Sequence, residues 1–120
     1  MKLNIDSIEL SNGRITCFLN GVLDTNTSLQ FDEYIHTRLS PKVKAVALDL
    51  KDLNYISSAG LRSFAKLRRE MTSRGGQLVF ANLSPQVEKV FDIVKAIPLR
   101  EVFSSTAEMD AYLKNVQEGV

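Results

Sequence analysis

The 120-residue sequence predicts an α/β fold: a mixed, mainly parallel sheet with an N-terminal antiparallel hairpin and about four helices. Three observations carry that prediction. Asn12-Gly13 lies between two runs of strand-like alternation, the strongest short signal for a hairpin. Residues 43–50 are almost unbroken apolar, as in a central strand covered on both faces. Thereafter helical and strand periodicities alternate along the chain, the pattern of strand–helix–strand units that build parallel sheets.

Residues 3–10 and 14–19 read as the hairpin strands, flanking Ser11-Asn12-Gly13. Residues 20–27 form a turn-rich connection with several possible helix caps. The helix that follows has Phe31, Tyr34, Ile35 and Leu39 on its apolar side, places Asp32 and Glu33 near its positive end, and is stopped by Ser40-Pro41-Lys42. The apolar strand of residues 43–50 comes next. A second helix begins near Ser58, runs to about residue 74 with Gly60, Phe64, Leu67 and Met71 at helical spacing, and ends at Gly75-Gly76. Residues 77–81 are a strand. Ser84-Pro85 supplies a cap and a proline at the first helical position for a third helix, with Val87, Val90, Phe91 and Val94 buried. Residues 97–103 return as a short strand. Ser105-Thr106-Ala107-Glu108 is a capping box for a final helix with Met109, Tyr112, Leu113 and Val116 on one face.

An apolar content of 44% suits one buried core, so residues 1–120 are expected to form one domain. A formal charge of +1 gives no electrostatic case for nucleic acid or an anionic membrane. No run approaches the roughly 18 apolar residues of a membrane helix, and the N-terminus lacks the charged-then-apolar pattern of a leader, so a cytoplasmic protein is expected. The lone Cys17 has no internal disulfide partner and falls on an alternating strand pattern, where it serves as a small apolar residue.

The serine pair Ser57-Ser58 stands where a strand gives way to a helix. A phosphate there would meet free N–H groups and the favourable end of the helix dipole, so modification need not damage the fold. The competing reading is plain capping, since serine is among the commonest N-caps. Asp24, on the residues alone, reads as an Asx-turn or a helix cap. Arg62, Lys66 and Arg69 share a helix face, either solvated or in partner contact, and Arg62 lies within about one turn of Ser58. Catalysis has little support. His36, the single histidine, has no ligand-spaced companion and is expected to be exposed. Gly75-Gly76 lacks the lysine and hydroxyl residue of a phosphate loop. In one respect Asp49, read as closing a central strand, is similar to the phosphoacceptor of a receiver domain, but Asn4-Ile5-Asp6 lacks the acidic pair that would hold magnesium. Nothing points to a bound cofactor or metal.

The segment Ala45-Val46-Ala47-Leu48-Asp49-Leu50, then Lys51 to Ile56, then Ser57-Ser58-Ala59-Gly60-Leu61-Arg62 resembles the STAS domain family, in the form of small bacterial anti-sigma factor antagonists. Gly21-Val22-Leu23-Asp24, Gly75-Gly76 and Leu83-Ser84-Pro85 fit the same family, and the resemblance covers nearly the whole chain. It implies a protein that binds an anti-sigma factor serine kinase when unphosphorylated, releases the sigma factor, and is reset by a phosphatase. Alignment on Gly60-Leu61 puts Ser58 on the phosphorylated serine, with Ser57 the second choice. The implied contact surface is Gly21, Asp24, Ser57, Ser58, Ala59, Gly60 and Arg62. Two positions depart from the commonest pattern: Ser57 stands where an aspartate is usual, a variant known in the family, and Val22 stands where glutamate is frequent, which bears on partner preference. The resemblance further implies a monomer when free. A STAS subunit acting as a structural adaptor, with the serine a mere cap, is the alternative.

Overall fold

The computed structural model describes residues 2–10, 12–95 and 101–117, without the side chains of Val94 and Gln117. Its elements are β1 (Leu3–Leu10), β2 (Arg14–Leu23), α1 (Thr25–Arg38), β3 (Ala45–Ile56), α2 (Ser58–Ser73), β4 (Gln77–Ala81), α3 (Pro85–Val94), β5 (Val102–Phe103) and α4 (Thr106–Gln117). The five strands lie side by side in chain order, β1 antiparallel to β2 and each later neighbour parallel. This is the expected α/β architecture.

Alternation along the strands divides the interior into two layers. Ile15, Cys17, Leu19, Val46, Leu48, Leu50, Leu78 and Phe80 meet Phe31, Ile35, Phe64, Leu67, Met71, Val87 and Phe91 from α1, α2 and α3. Phe64 anchors that layer, its ring centroid 5.5 Å from Phe31 and 5.3 Å from Phe80. The intervening residues Ala45, Ala47, Val79 and Ala81 pack against Met109 and Leu113 of α4 on the other face, where small side chains let the helix approach closely. Arg14 at the start of β2 holds Asp110 of α4, and Arg68 of α2 grips the buried Glu101 with two bonds of 2.7 and 2.8 Å.

Several boundaries depart from expectation for physical reasons. β2 does not stop at residue 19. It runs through the Asn20-Gly21 turn signal to Leu23, because Gly21 at φ 122° absorbs a shift in register that leaves the strand paired on both sides. A Cβ on Gly21 would collide with the Lys2 carbonyl oxygen. β3 likewise continues past Leu50 to Ile56, since Asn20, Gly21, Val22 and Leu23 pair with Asp52, Leu53, Tyr55 and Ile56. With Asp24 as its cap, α1 starts early enough to put Asp32 and Glu33 in its middle and not at its positive end. Val116 on α4 is exposed, not buried with Met109 and Leu113. Of the expected short strand, Val102–Phe103 is described; residues 97–100 lie outside the described residues, as do Ser11 and the Val94 side chain.

Candidate functional site

The parallel strands β2 and β3 end together, with Leu23 paired to Ile56, and each passes directly into a helix. Two positive helix ends, those of α1 and α2, therefore emerge at the same edge of the sheet.

Asp24 caps α1. Its Oδ1 accepts the N–H groups of Asn26 and Thr27, each at 2.9 Å, while its own N–H donates to Thr27 Oγ1 at 2.8 Å. The Thr27 hydroxyl in turn donates to the Val22 carbonyl at 2.9 Å, which locks the turn to the end of β2. These donors, the Thr27 N–H first among them, hold the Asp24 carboxyl below its ordinary value.

The serine pair divides its tasks. Ser57 caps α2: its hydroxyl accepts the Gly60 N–H at 3.2 Å and donates to the Leu23 carbonyl at 3.1 Å, and its N–H donates to that same carbonyl at 2.9 Å. Both hydrogen-bonding capacities of Ser57 are thus committed to joining α2 to β2. Ser58, the first residue of the helix, is exposed, and its hydroxyl bonds to none of the described residues. Gly60 is buried because α2 rests on the strand ends; a Cβ there would stand 2.8 Å from both Ile56 Cγ1 and Leu23 Cδ2. Ala59 is half-buried beside it.

From this edge a groove of about 260 Å³ runs between the helices, with Thr25, Ser28, Leu29 and Asp32 on one wall and Ala59, Arg62, Ser63 and Lys66 on the other. Arg62 and Lys66 are exposed and, among the described residues, neither they nor Asp32 make an ion pair. Leu29 is 64% exposed on the rim. Arg69, also exposed, is not part of the groove lining.

The structure thus brings Asp24, Ser57, Ser58, Ala59 and Arg62 to one end of the sheet, whereas Gly60, expected at the contact surface, is buried beneath it because α2 rests on Leu23 and Ile56, and Gly21 and Val22 are likewise set apart from that surface. Gly21 is a half-buried bulge glycine within the sheet. Val22 is 7% exposed, so its side chain belongs to the interior and is not offered to a partner. The groove wall formed by Thr25, Leu29 and Asp32 was not anticipated from sequence. Its signal was Leu29 itself, an apolar residue out of phase with the buried stripe of Phe31 and Ile35.

Other candidates carry less. Asp49 does not close its strand, which runs on to Ile56; its carboxylate accepts from the Lys51 N–H at 3.1 Å and Asn82 Nδ2 at 3.0 Å. His36 is exposed. Cys17 is buried, and burial pushes its thiol up to about 12. Among the described residues no cluster of three His, Cys, Asp or Glu side chains could hold a metal ion, and no helix is long and apolar enough to cross a membrane.

Comparison with known proteins places this geometry in context. Residues 7–109 match the family model of the STAS domain. The chain is 32% identical over 114 residues to BtrV of Bordetella bronchiseptica, assigned as an anti-sigma factor antagonist, covering 95% of this chain and 96% of that protein. Among solved structures it superposes on the unphosphorylated form of the anti-sigma factor antagonist SpoIIAA with a TM-score of 0.79 at 20% identity, covering 93% of this chain and 97% of the other. For the phosphorylated form of SpoIIAA the TM-score is 0.73 at 19% identity, covering 92% and 99%. These two likenesses bear on the fold. With a family match across most of its length and a relative above 30% identity, the chain belongs to the STAS domain family.

Proposed function

We propose that this protein is an anti-sigma factor antagonist controlled at Ser58. In the unphosphorylated state it binds an anti-sigma factor that is also a serine kinase, and the sigma factor is released. The chain is the kinase's substrate and not itself an enzyme. In the transfer, Ser58 Oγ forms a bond to the γ-phosphorus of the kinase's ATP as the β–γ phosphoanhydride bond breaks; ADP leaves and the hydroxyl proton passes to the kinase or to solvent. A phosphatase hydrolyses the ester and restores the hydroxyl. Both steps take place in the cytoplasm, and the free antagonist is a monomer.

The observation that carries this reading is the division of labour in the serine pair. Ser57 does the capping, and Ser58 is exposed, with no hydrogen bond from its hydroxyl to the described residues, at a helix end that tolerates negative charge. Phosphorylation can therefore alter the surface without removing a bond from the fold. Asp24, the cap of α1 at the same end of the sheet, and Arg62, one turn further along α2, complete the face offered to the kinase. The name of BtrV and the two phosphorylation states in which SpoIIAA is described support the same assignment. About two negative charges on this face oppose contact by repulsion and desolvation. A penalty of about 3 kcal/mol lowers affinity more than a hundredfold, enough for a switch without rearrangement of the fold.

The test is intact-mass spectrometry with site mapping after incubation with ATP and each anti-sigma-type serine kinase of the same genome. One phosphate confined to Ser58, absent from Ser58→Ala and retained in Ser57→Ala, is expected. Stable association with a partner but no phosphate from any kinase would favour an adaptor role and overturn the switch.

A further inference from the structure

We infer that a phosphate on Ser58 is read within the chain by Arg62, which leaves the α1–α2 groove to pair with it; this inference rests on Ser58 being the modified residue. Ser58 and Arg62 stand four residues apart on α2, so their side chains share a face with Cβ atoms about 5–6 Å apart. The acidic group lies on the N-terminal side of the basic one, the order that suits the helix dipole. Both residues are exposed, the Ser58 hydroxyl makes no bond to a described residue, and Arg62 makes no ion pair among them. Its guanidinium is therefore uncommitted, and its planar fork matches two phosphate oxygens.

The consequence falls on the groove. In the unmodified protein its lining holds two cations, Arg62 and Lys66, and one anion, Asp32, so it presents net positive charge to a partner. Once Arg62 neutralises part of the phosphate, Lys66 and Asp32 are left to balance one another. Phosphorylation then acts twice, by adding negative charge at the helix end and by withdrawing the arginine from the surface beside it. Asp32 of α1 and Lys66 of α2 line the same groove, and Asp24 caps α1 at its start. Farther along the seam lie His36 and Glu70, the latter 3.7 Å from Arg74.

The experiment installs phosphoserine at position 58 during synthesis, without any kinase, and follows the second ionisation of the phosphate by phosphorus NMR. The phosphorus nucleus reports the ionisation of the phosphate directly. Arg62→Gln is expected to raise that pKa by about half a unit at low salt, and the difference should shrink near 1 M salt, where screening is strong. Lys66→Gln, two turns from Ser58, is expected to leave the pKa in place. Equal pKa values in the parent and Arg62→Gln, or equal shifts from both substitutions, would overturn the inference. Because no kinase is used, either result leaves the switch at Ser58 to stand or fall by its own test. Conversely, a kinase that ignores Ser58 would not erase a measured coupling to Arg62.

Discussion

The starts of α2 and α3 are built alike, and their differences at the first and third helical positions are the telling ones. Each is capped by a serine whose hydroxyl donates to a carbonyl at or near the end of the neighbouring strand, Ser57 to Leu23 and Ser84 to Leu53, and accepts the N–H three residues on, from Gly60 and Val87. At the first helical position α3 has Pro85, with neither hydroxyl nor N–H to offer, and α2 has Ser58. A helix start of this design thus needs nothing from the side chain that follows its cap. At the third position α3 carries Val87, fully buried, where α2 carries Gly60, because α2 presses closer on Leu23 and Ile56. The α2 start therefore couples a tight seat to a hydroxyl that bonds to none of the described residues, whereas the α3 start has a proline in that place.

Making α2 resemble α3 at its third position is the harshest way to break this comparison. Gly60→Val should cost about 2–3 kcal/mol in denaturant unfolding, since the new methyl groups have no room against Ile56 and Leu23. Next come the caps. Ser84→Ala should cost about 2 kcal/mol, because Ser84 is buried and the Leu53 carbonyl loses its donor away from water. Ser57→Ala should cost about 1 kcal/mol, since its half-exposed site lets water replace the hydroxyl. Equal losses at the two caps would show that burial does not distinguish them.

Asp24 sharpens the comparison through pH. Its carboxyl is held below the ordinary 3.8, so its charge stabilises the fold at neutral pH, and that contribution fades as pH falls from about 3.8 through the lower folded value. Urea midpoints measured from pH 6 to pH 2 should therefore fall less steeply for Asp24→Asn, which keeps an acceptor but cannot titrate. The smallest effect is expected at Ser58→Pro, which copies α3. The preceding residue, Ser57, already has the extended backbone that proline requires, so stability should change by no more than about 0.5 kcal/mol while the hydroxyl is lost.

The order of elements was legible because hydrophobic period, proline and glycine mark them locally, and the strand Gln77–Ala81 falls where its apolar run does. The ends of β2 and β3 were not. Asn20-Gly21 looks like a turn in isolation, and its extended path depends on pairing with both β1 and β3, which no local pattern encodes. The serine pair was legible as a helix start and as the site of a hydroxyl. Which serine caps was decided by the Leu23 carbonyl, a partner 34 residues away that holds Ser57 and leaves Ser58 exposed. Arg62 and Lys66 were visible as a basic face, but the opposing wall of Thr25, Leu29 and Asp32 arises from the packing of α1 beside α2. Val22 shows the opposite error: a position read for partner preference is buried, a matter of tertiary packing that its place in a turn-like sequence did not reveal.

The most direct test of a hydroxyl held apart from the fold is the affinity of the unmodified and Ser58-phosphorylated proteins for the kinase that modifies them, measured by calorimetry alongside their thermal midpoints. The account expects binding to weaken more than a hundredfold with the midpoint moved by no more than a few degrees. Equal affinity for the two forms, or a phosphorylated protein that no longer folds, would contradict it.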